Sequence, residues 1–210
     1  MPKPVIVFGA GSYALTAAEY LKEAGTKIEC FVVDDARYKV DNALVASLDD
    51  ITRDFPPRYF DAVVGIGYSK LNQNRVRKYE QLSNLGYDLV SFSASKVRGR
   101  MGRGCFVFED NTIQPFTEIG DYCVLWSGNH IGHHSKIGKG CFLTSHVVIS
   151  GNCTIGDRCF IGVNATINDG LTIGEGSIVQ SGSVVTIGMP PNSLWTREGY
   201  SKIPANRVKL

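Results

Sequence analysis

From Val107 to Val185 an aliphatic residue recurs every sixth position without a miss: Val107, Ile113, Ile119, Leu125, Ile131, Ile137, Leu143, Ile149, Ile155, Ile161, Ile167, Ile173, Val179 and Val185. An α-helix repeats apolar residues at about 3.6 and a free strand at about 2, so neither alone gives six. A short strand followed by a tight turn does, and hexapeptide repeats mark a parallel β-helix. Two residues before each aliphatic sits a mostly small residue, among them Cys105, Asn111, Thr117, Cys123, Asn129, Ser135 and Cys141. Glycine follows the aliphatic at 120, 132, 138, 156, 162 and 174, positions read as turns that need freedom from Cβ clashes.

The 210 residues allow one large domain or two small ones. A net charge of +2 argues against nucleic acid as a partner. No apolar run approaches the roughly 20 residues that cross a bilayer. The start, Met1-Pro2-Lys3-Pro4, runs into a short apolar stretch without a leader pattern, so a cytoplasmic location is expected. Of the six cysteines, Cys105, Cys123, Cys141 and Cys159 are spaced by 18, three hexads or one coil. They are expected to stack as small buried hydrophobes inside the coil rather than to form disulfides or hold a metal.

Before residue 100 the hexads are absent and the pattern is α/β. Val5 to Phe8 forms a strand, and Ala14, Ala17, Ala18 and Leu21 mark one face of a helix that stops at Gly25. Further strands are expected at 28–33, 61–66 and 88–92, with a helix at about 72–85. This alternation implies a parallel sheet covered by helices. Gly9-x-Gly11-x-x-Ala14 lies between strand and helix, where backbone N–H groups can face a phosphate. Asp34 follows the second strand, where an acidic residue can bind a ribose hydroxyl. Fewer than 100 residues precede the β-helix, about half of a dinucleotide fold, so a nucleotide-linked small molecule fits better than NAD. The expected division is a Rossmann-like nucleotide-binding domain at 1–97, a β-helix at 98–187 and a tail at 188–210. Trp195 and Tyr200 are expected to fold that tail back on the body.

All four histidines fall between 130 and 146. His133 and His134 occupy the turn after Ile131, His146 the turn after Leu143, and His130 points outward. None belongs to the interior, which leaves exposed corner histidines, a metal site shared between subunits, or a general base, since imidazole titrates near working pH. Gly151 lies 18 residues after His133, one coil away at about 4.8 Å. It is expected to leave open space beside His133 and a free N–H, as an acyl donor requires.

These features together resemble the left-handed β-helix acyltransferases. His130-Ile131-Gly132-His133-His134-Ser135-Lys136-Ile137-Gly138 is similar to the H-I-A-H-D-C-x-V-G stretch of the lipid A UDP-N-acetylglucosamine acyltransferases, whose second histidine is the base. Residues 4 to 187 resemble more closely the bacterial nucleotide-sugar acetyltransferases, including UDP-4-amino-sugar and GDP-perosamine N-acetyltransferases and sialic acid O-acetyltransferases. The resemblance implies a cytoplasmic homotrimer that uses acetyl-CoA and no metal, and works in surface-polysaccharide biosynthesis. It implies catalysis by His133 with His134, and substrate binding by Gly11, Ser12, Tyr13, Asp34, Asp35 and Gly67. Phe142, Gly151, Val163, Ser181 and Gly182 would meet acetyl-CoA. Transfer is direct, most simply to a sugar amine. The alternatives are O-acetylation of a free sugar acid such as sialic acid, a trimeric zinc hydratase of the γ-carbonic anhydrase type, and a non-catalytic nucleotide-sugar scaffold. Four departures stand out. Ser12-Tyr13-Ala14 replaces the family's G-H-G. His134 replaces the acidic neighbour that holds the base, leaving its orientation to Asn152. Phe142 stands where a histidine often meets the acyl donor, and the V-x-G-x-P-A-K ending is reduced to Ile203-Pro204-Ala205.

Overall fold

The computed structural model describes residues 2–34, 40 and 43–202. They form two compact units: residues 1–67 with 74–91, and residues 68–73 with 92–210. The second unit thus takes in 68–73 and 92–97, on the far side of the 97/98 boundary drawn from the hexads.

In chain order the first unit holds β1 (Val5–Phe8), α1 (Ser12–Glu23), β2 (Ile28–Val33), β3 (Val45–Ser47), α2 (Ile51–Asp54), β4 (Asp61–Val64) and α3 (Gln73–Asn84). The sheet is parallel, in the order β3-β2-β1-β4. β1 is apolar throughout because it is an inner strand, and all four of its residues are buried. Ala14, Ala17, Ala18 and Leu21 are the buried face of α1, which stops before Gly25 at φ +82°. Strand order reverses between β1 and β4, as in one half of a doubly wound fold. The strand expected at 88–92 is only a bridge from Leu89 to Ala62. Phe92–Ser93 pairs instead with Phe106–Val107 and opens the β-helix, with residues 93–104 as its first coil.

In the second unit, two-residue strands stack parallel with a register shift of one coil, for example Val124↔Phe142, His130↔Val148 and Lys136↔Thr154. They make three faces. The first runs through Phe106, Val124, Phe142, Phe160 and Ile178. The second runs through Thr112, His130, Val148, Thr166 and Val184, and the third through Arg100, Glu118, Lys136, Thr154 and Thr172. The architecture is the hexapeptide β-helix expected from the register, and its winding is consistent with the left-handed form. The residues just named face outward; the hexad aliphatics point in, and none of the fourteen is more than 3 % exposed. The sulfhydryls of Cys105, Cys123, Cys141 and Cys159 donate to the carbonyls of Gly120, Gly138, Gly156 and Gly174 at 3.0–3.2 Å. This internal ladder gives each thiol a partner within the core.

The recurrent glycines avoid Cβ clashes as expected, and the structure shows that the clash is with the neighbouring coil. None of Gly120, Gly132, Gly138, Gly156, Gly162 and Gly174 has a positive φ. A Cβ on Gly132 would instead lie 2.5 Å from the Gly151 nitrogen in the next coil, so close stacking of the corners excludes a side chain. The left-handed backbone falls two residues later, at Phe116, Tyr122, Gly128, His134, Gly140, His146 and Asn152 among others. His134, at φ +60°, therefore holds an obligatory left-handed position, which histidine tolerates better than most residues.

The tail returns to the body. Ser193–Thr196 pairs with Ile178–Val179, and Gly199–Lys202 pairs antiparallel to it. Trp195 is buried and donates Nε1–H to the Val184 carbonyl at 3.1 Å, covering the last coil. Ile203-Pro204-Ala205 lies outside the described residues.

All six cysteines are free and buried. Burial pushes the Cys30 thiol up to about 12 and raises Cys141 and Cys153 as well. At about pH 8.5, where an ordinary thiol is half ionised, a thiol reagent should label the unfolded chain and spare the folded one. Rapid labelling of folded protein would show that the column of sulfhydryls is open to solvent.

Candidate active site

The left-handed turn between the second and third faces carries Phe116, His134, Asn152 and Gly170 in one column, with Pro115, His133, Gly151 and Asp169 beside them. The column is held by backbone bonds. Asn152 donates N–H to the His133 carbonyl at 2.9 Å, and Gly170 donates to Gly151 at 3.0 Å. His133 and His134 are both exposed. Their Nδ1 atoms are 3.1 Å apart, within hydrogen-bond distance of each other. The His134 ring stacks on Phe116 at 4.7 Å between centroids. The His133 N–H donates to Gln114 Oε1 at 2.8 Å. His134 thus meets the His133 ring and Gln114 its backbone, where Asn152 had been expected to orient the imidazole.

Gly151 is not the open space expected. A Cβ there would stand 2.7 Å from His133 Cε1, 3.0 Å from His133 Nε2 and 3.0 Å from Asp169 Oδ1. The missing side chain makes room for the imidazole itself, which lies over the Gly151 backbone. Asp169 closes the column from the coil beyond. It went unnoticed in the sequence, although coil arithmetic finds it: it lies two coils after His133.

A second cleft, of about 380 Å³, lies in the α/β unit and is lined by Phe8, Gly9, Ala10, Gly11, Val33, Asp34, Gly65, Ile66 and Gly67. It sits at the carboxyl ends of β1 and β4, where strand order reverses and open α/β sheets bind ligands. The close fit is visible in Gly65, where a Cβ would lie 2.4 Å from Ala14 Cβ. Gly11 and Gly67 have nothing within 4 Å of a Cβ position, which leaves the space above the helix N-terminus open. Ser12 and Tyr13 begin α1 but do not line the cleft. Asp35 lies outside the described residues. Two further residues shape the cleft. Lys78 Nζ is 2.5 Å from Asp34 Oδ1 and 4.6 Å from the Phe8 ring. The fully buried Arg75 donates to the Gly67 carbonyl at 2.9 Å. Both lie on α3, and no local motif announces them.

Val163, Ser181 and Gly182 belong to a different corner, between the first and second faces, together with His146. His146 packs over Gly128, where a Cβ would lie 2.5 Å from its Nδ1, and Gly182 donates to the Val163 carbonyl at 2.8 Å. One chain therefore does not bring these residues to His133. Phe142 is on the first face, buried, with the Tyr68 ring 5.3 Å away and the Phe160 ring at 5.9 Å. Tyr68 thus packs against the side chain expected to meet acetyl-CoA. Among the described residues no group of three His, Cys, Asp or Glu side chains could hold a metal ion. No described helix is long and apolar enough to cross a membrane.

Residues 116–151 and 152–186 match the model for bacterial transferase hexapeptide repeats (six repeats). A search of curated protein sequences found no match. Among solved structures, PerB from Caulobacter crescentus in complex with CoA and GDP-perosamine shares 26% identity over 92% of this chain and 94% of that one, with a TM-score of 0.83. A mutant of perosamine N-acetyltransferase from the same organism, with the same ligands, matches over 97% and 98% at 24% identity and a TM-score of 0.87. The acetyltransferase domain of PglB from Neisseria gonorrhoeae in complex with acetyl coenzyme A matches over 97% and 100% at 20% identity, with a TM-score of 0.64. The last two likenesses carry the fold.

Gly151→Ala should push the His133 ring off the backbone, because the new methyl would stand 2.7 Å from Cε1. The His133 ring resonances should move by NMR while the chain stays folded. Asn152→Ala, one residue on, should leave them in place. Unmoved resonances in Gly151→Ala would mean that the imidazole does not rest on Gly151.

Proposed function

We propose that this chain, whose β-helix is built of bacterial transferase hexapeptide repeats, is an acetyltransferase that moves an acetyl group from acetyl-CoA to a nucleotide-linked amino sugar. The observation that carries the reading is the pairing of two sites on one chain. One is a nucleotide-sized cleft at the switch point of a half-Rossmann sheet. The other is a fixed histidine pair on a hexapeptide β-helix. A solved relative with both parts, PerB, is described with CoA and GDP-perosamine bound, which supports the same pairing of ligands here.

His133 is the general base. With its proton on Nδ1, shared with His134, Nε2 is free to accept a proton from the attacking amine. The Gly151 N–H makes no hydrogen bond to a described residue and is the donor left for the acyl oxygen. Substrate nucleotide lies in the cleft, its phosphate toward the N-terminus of α1 at Gly11. Asp34, braced by Lys78, takes the ribose or base. Acetyl-CoA runs past Val163, Ser181 and Gly182 toward the His133 of a neighbouring chain, since these lie at different corners of one chain. The site then requires assembly, and a homotrimer follows. The second face suits the contact, because its outward residues are uncharged apart from His130 and include the exposed Val148 and Val184. The third face carries the Arg100–Glu118–Lys136 ion pairs. The product serves surface-polysaccharide biosynthesis in the cytoplasm.

A panel of UDP-, GDP- and dTDP-linked amino sugars and their hydroxyl counterparts, assayed with acetyl-CoA, tests the activity. His133→Ala should lower turnover by about 100-fold or more. His134→Ala should cost about tenfold, the worth of an orienting hydrogen bond. Light scattering should read both as trimers, since corner side chains fill no core. Near-normal turnover in His133→Ala with none in His134→Ala would move the base. Asp34→Ala should weaken nucleotide-sugar binding by calorimetry and spare acetyl-CoA; equal loss of both ligands would indicate damaged folding instead.

A further inference from the structure

His133, Gly151 and Asp169 follow one another at intervals of one coil along a single corner, tied by the backbone bonds from Asn152 and Gly170. The glycine between them lets a base and a carboxylate converge. His133 Nε2 and Asp169 Oδ1 each lie 3.0 Å from the position a Gly151 Cβ would take, so the two atoms are at most twice that distance apart, within the span that one ligand atom can bridge. Neither group is engaged: among the described residues nothing hydrogen-bonds to Nε2, and the Asp169 side chain has no hydrogen bond or ion pair. His134 meets the other ring nitrogen of His133, and Gln114 takes its backbone N–H.

The chemistry of the two facing groups is one-sided. An ionised carboxylate only accepts hydrogen bonds, and with the proton on Nδ1 the Nε2 lone pair accepts as well. A hydroxyl carries one proton and can satisfy only one of them. An ammonium carries three and can satisfy both, and its charge is complementary to the carboxylate. We propose that Asp169 is a specificity-determining residue which, with His133, forms a subsite between the two side chains for a protonated amine, so that the acceptor is an amino sugar and not a hydroxyl sugar. This rests on the acetyltransferase reading above and names what that site selects.

The subsite also orders the proton transfers. The bound ammonium gives one proton to His133 Nε2 and becomes a nucleophile. Its lone pair attacks the thioester carbonyl, the C–N bond forms and the C–S bond breaks. Of the two protons left on nitrogen, one passes to the departing thiolate and the other stays as the amide N–H, giving amide and CoA thiol, and His133 returns its proton to solvent. Asp169 stays ionised throughout and holds the amine against the base before the first transfer.

The test compares kcat/KM for a nucleotide-linked 4-amino sugar, with GDP-perosamine as the first probe, against its 4-hydroxyl counterpart, in wild type, D169N and D169E. Asp169 is exposed and on a turn, so folding should survive the change. D169N should cut the preference for the amine at least about tenfold, the worth of a hydrogen bond to a charged group. The loss should fall on the KM for the sugar nucleotide, with the KM for acetyl-CoA within about twofold, and D169E should restore part of it. Equal losses on both sugars, or no change in D169N, would overturn the subsite while leaving the acetyltransferase reading intact. Acetylation of the hydroxyl sugar alone by wild type would do the same. Failure of wild type to acetylate any sugar nucleotide of the wider panel would overturn the acetyltransferase reading itself, and the subsite with it.

Discussion

Along its strands the β-helix hands backbone N–H groups to the coil that follows, as in Gly132 to Ile149 at 2.7 Å and His130 to Val147 at 2.9 Å, and at its corners to the coil before, as in Asn152 to His133. Each such bond is worth only about 1 kcal/mol net, but the ladder repeats at every strand and fixes the register between coils. A parallel stack tolerates no slip, because moving one residue would turn the buried aliphatics outward. The corners inherit that register. His133 lies over Gly151, and Asp169 faces both, because the ladder superposes residues one coil apart. The geometry of the candidate site is therefore a by-product of how the core is built.

Coil arithmetic made most of this half legible in advance. The inward aliphatics, the column of cysteines and the corner position of His133 all follow from a period of six, and all are seen. The arithmetic gave the place of residues but not the shape of side chains. It put Gly151 beside His133 but took the space for a substrate's, whereas the imidazole fills it. It missed Asp169 because nothing in the local sequence marks it. The recurrent glycines were legible as positions that must avoid a Cβ clash, but not what they would clash with: contact between coils excludes a side chain at Gly132, and φ does not require one to be absent. Residues 92–104 were hidden because the first coil is short of the regular register, with Ser93 and Val97 standing opposite Val107 and Ile113.

The α/β unit was legible where apolar runs and glycines are local. β1, α1 and β2 fall where the sequence placed them, and the cleft opens where the Gly9 turn predicts. What could not be read were contacts made across the sheet. Lys78 reaches Asp34 from a helix 44 residues later, and Arg75 reaches Gly67 from beneath. Phe142 was judged by its counterpart in related enzymes, but Tyr68, from a segment outside the hexads, covers it. Long-range packing of this kind leaves no period to detect.

Following the acetyl group itself tests the account most directly. Isotopically labelled acetyl-CoA is incubated with the protein and a nucleotide-linked amino sugar, and the label is traced by mass spectrometry. Direct transfer to an amine predicts label on the sugar nitrogen, equal in amount to the CoA thiol released, and none on the protein. Label on a protein side chain would contradict direct transfer by a histidine base. Label recovered only as intact acetyl-CoA or free acetate would contradict the acetyltransferase assignment.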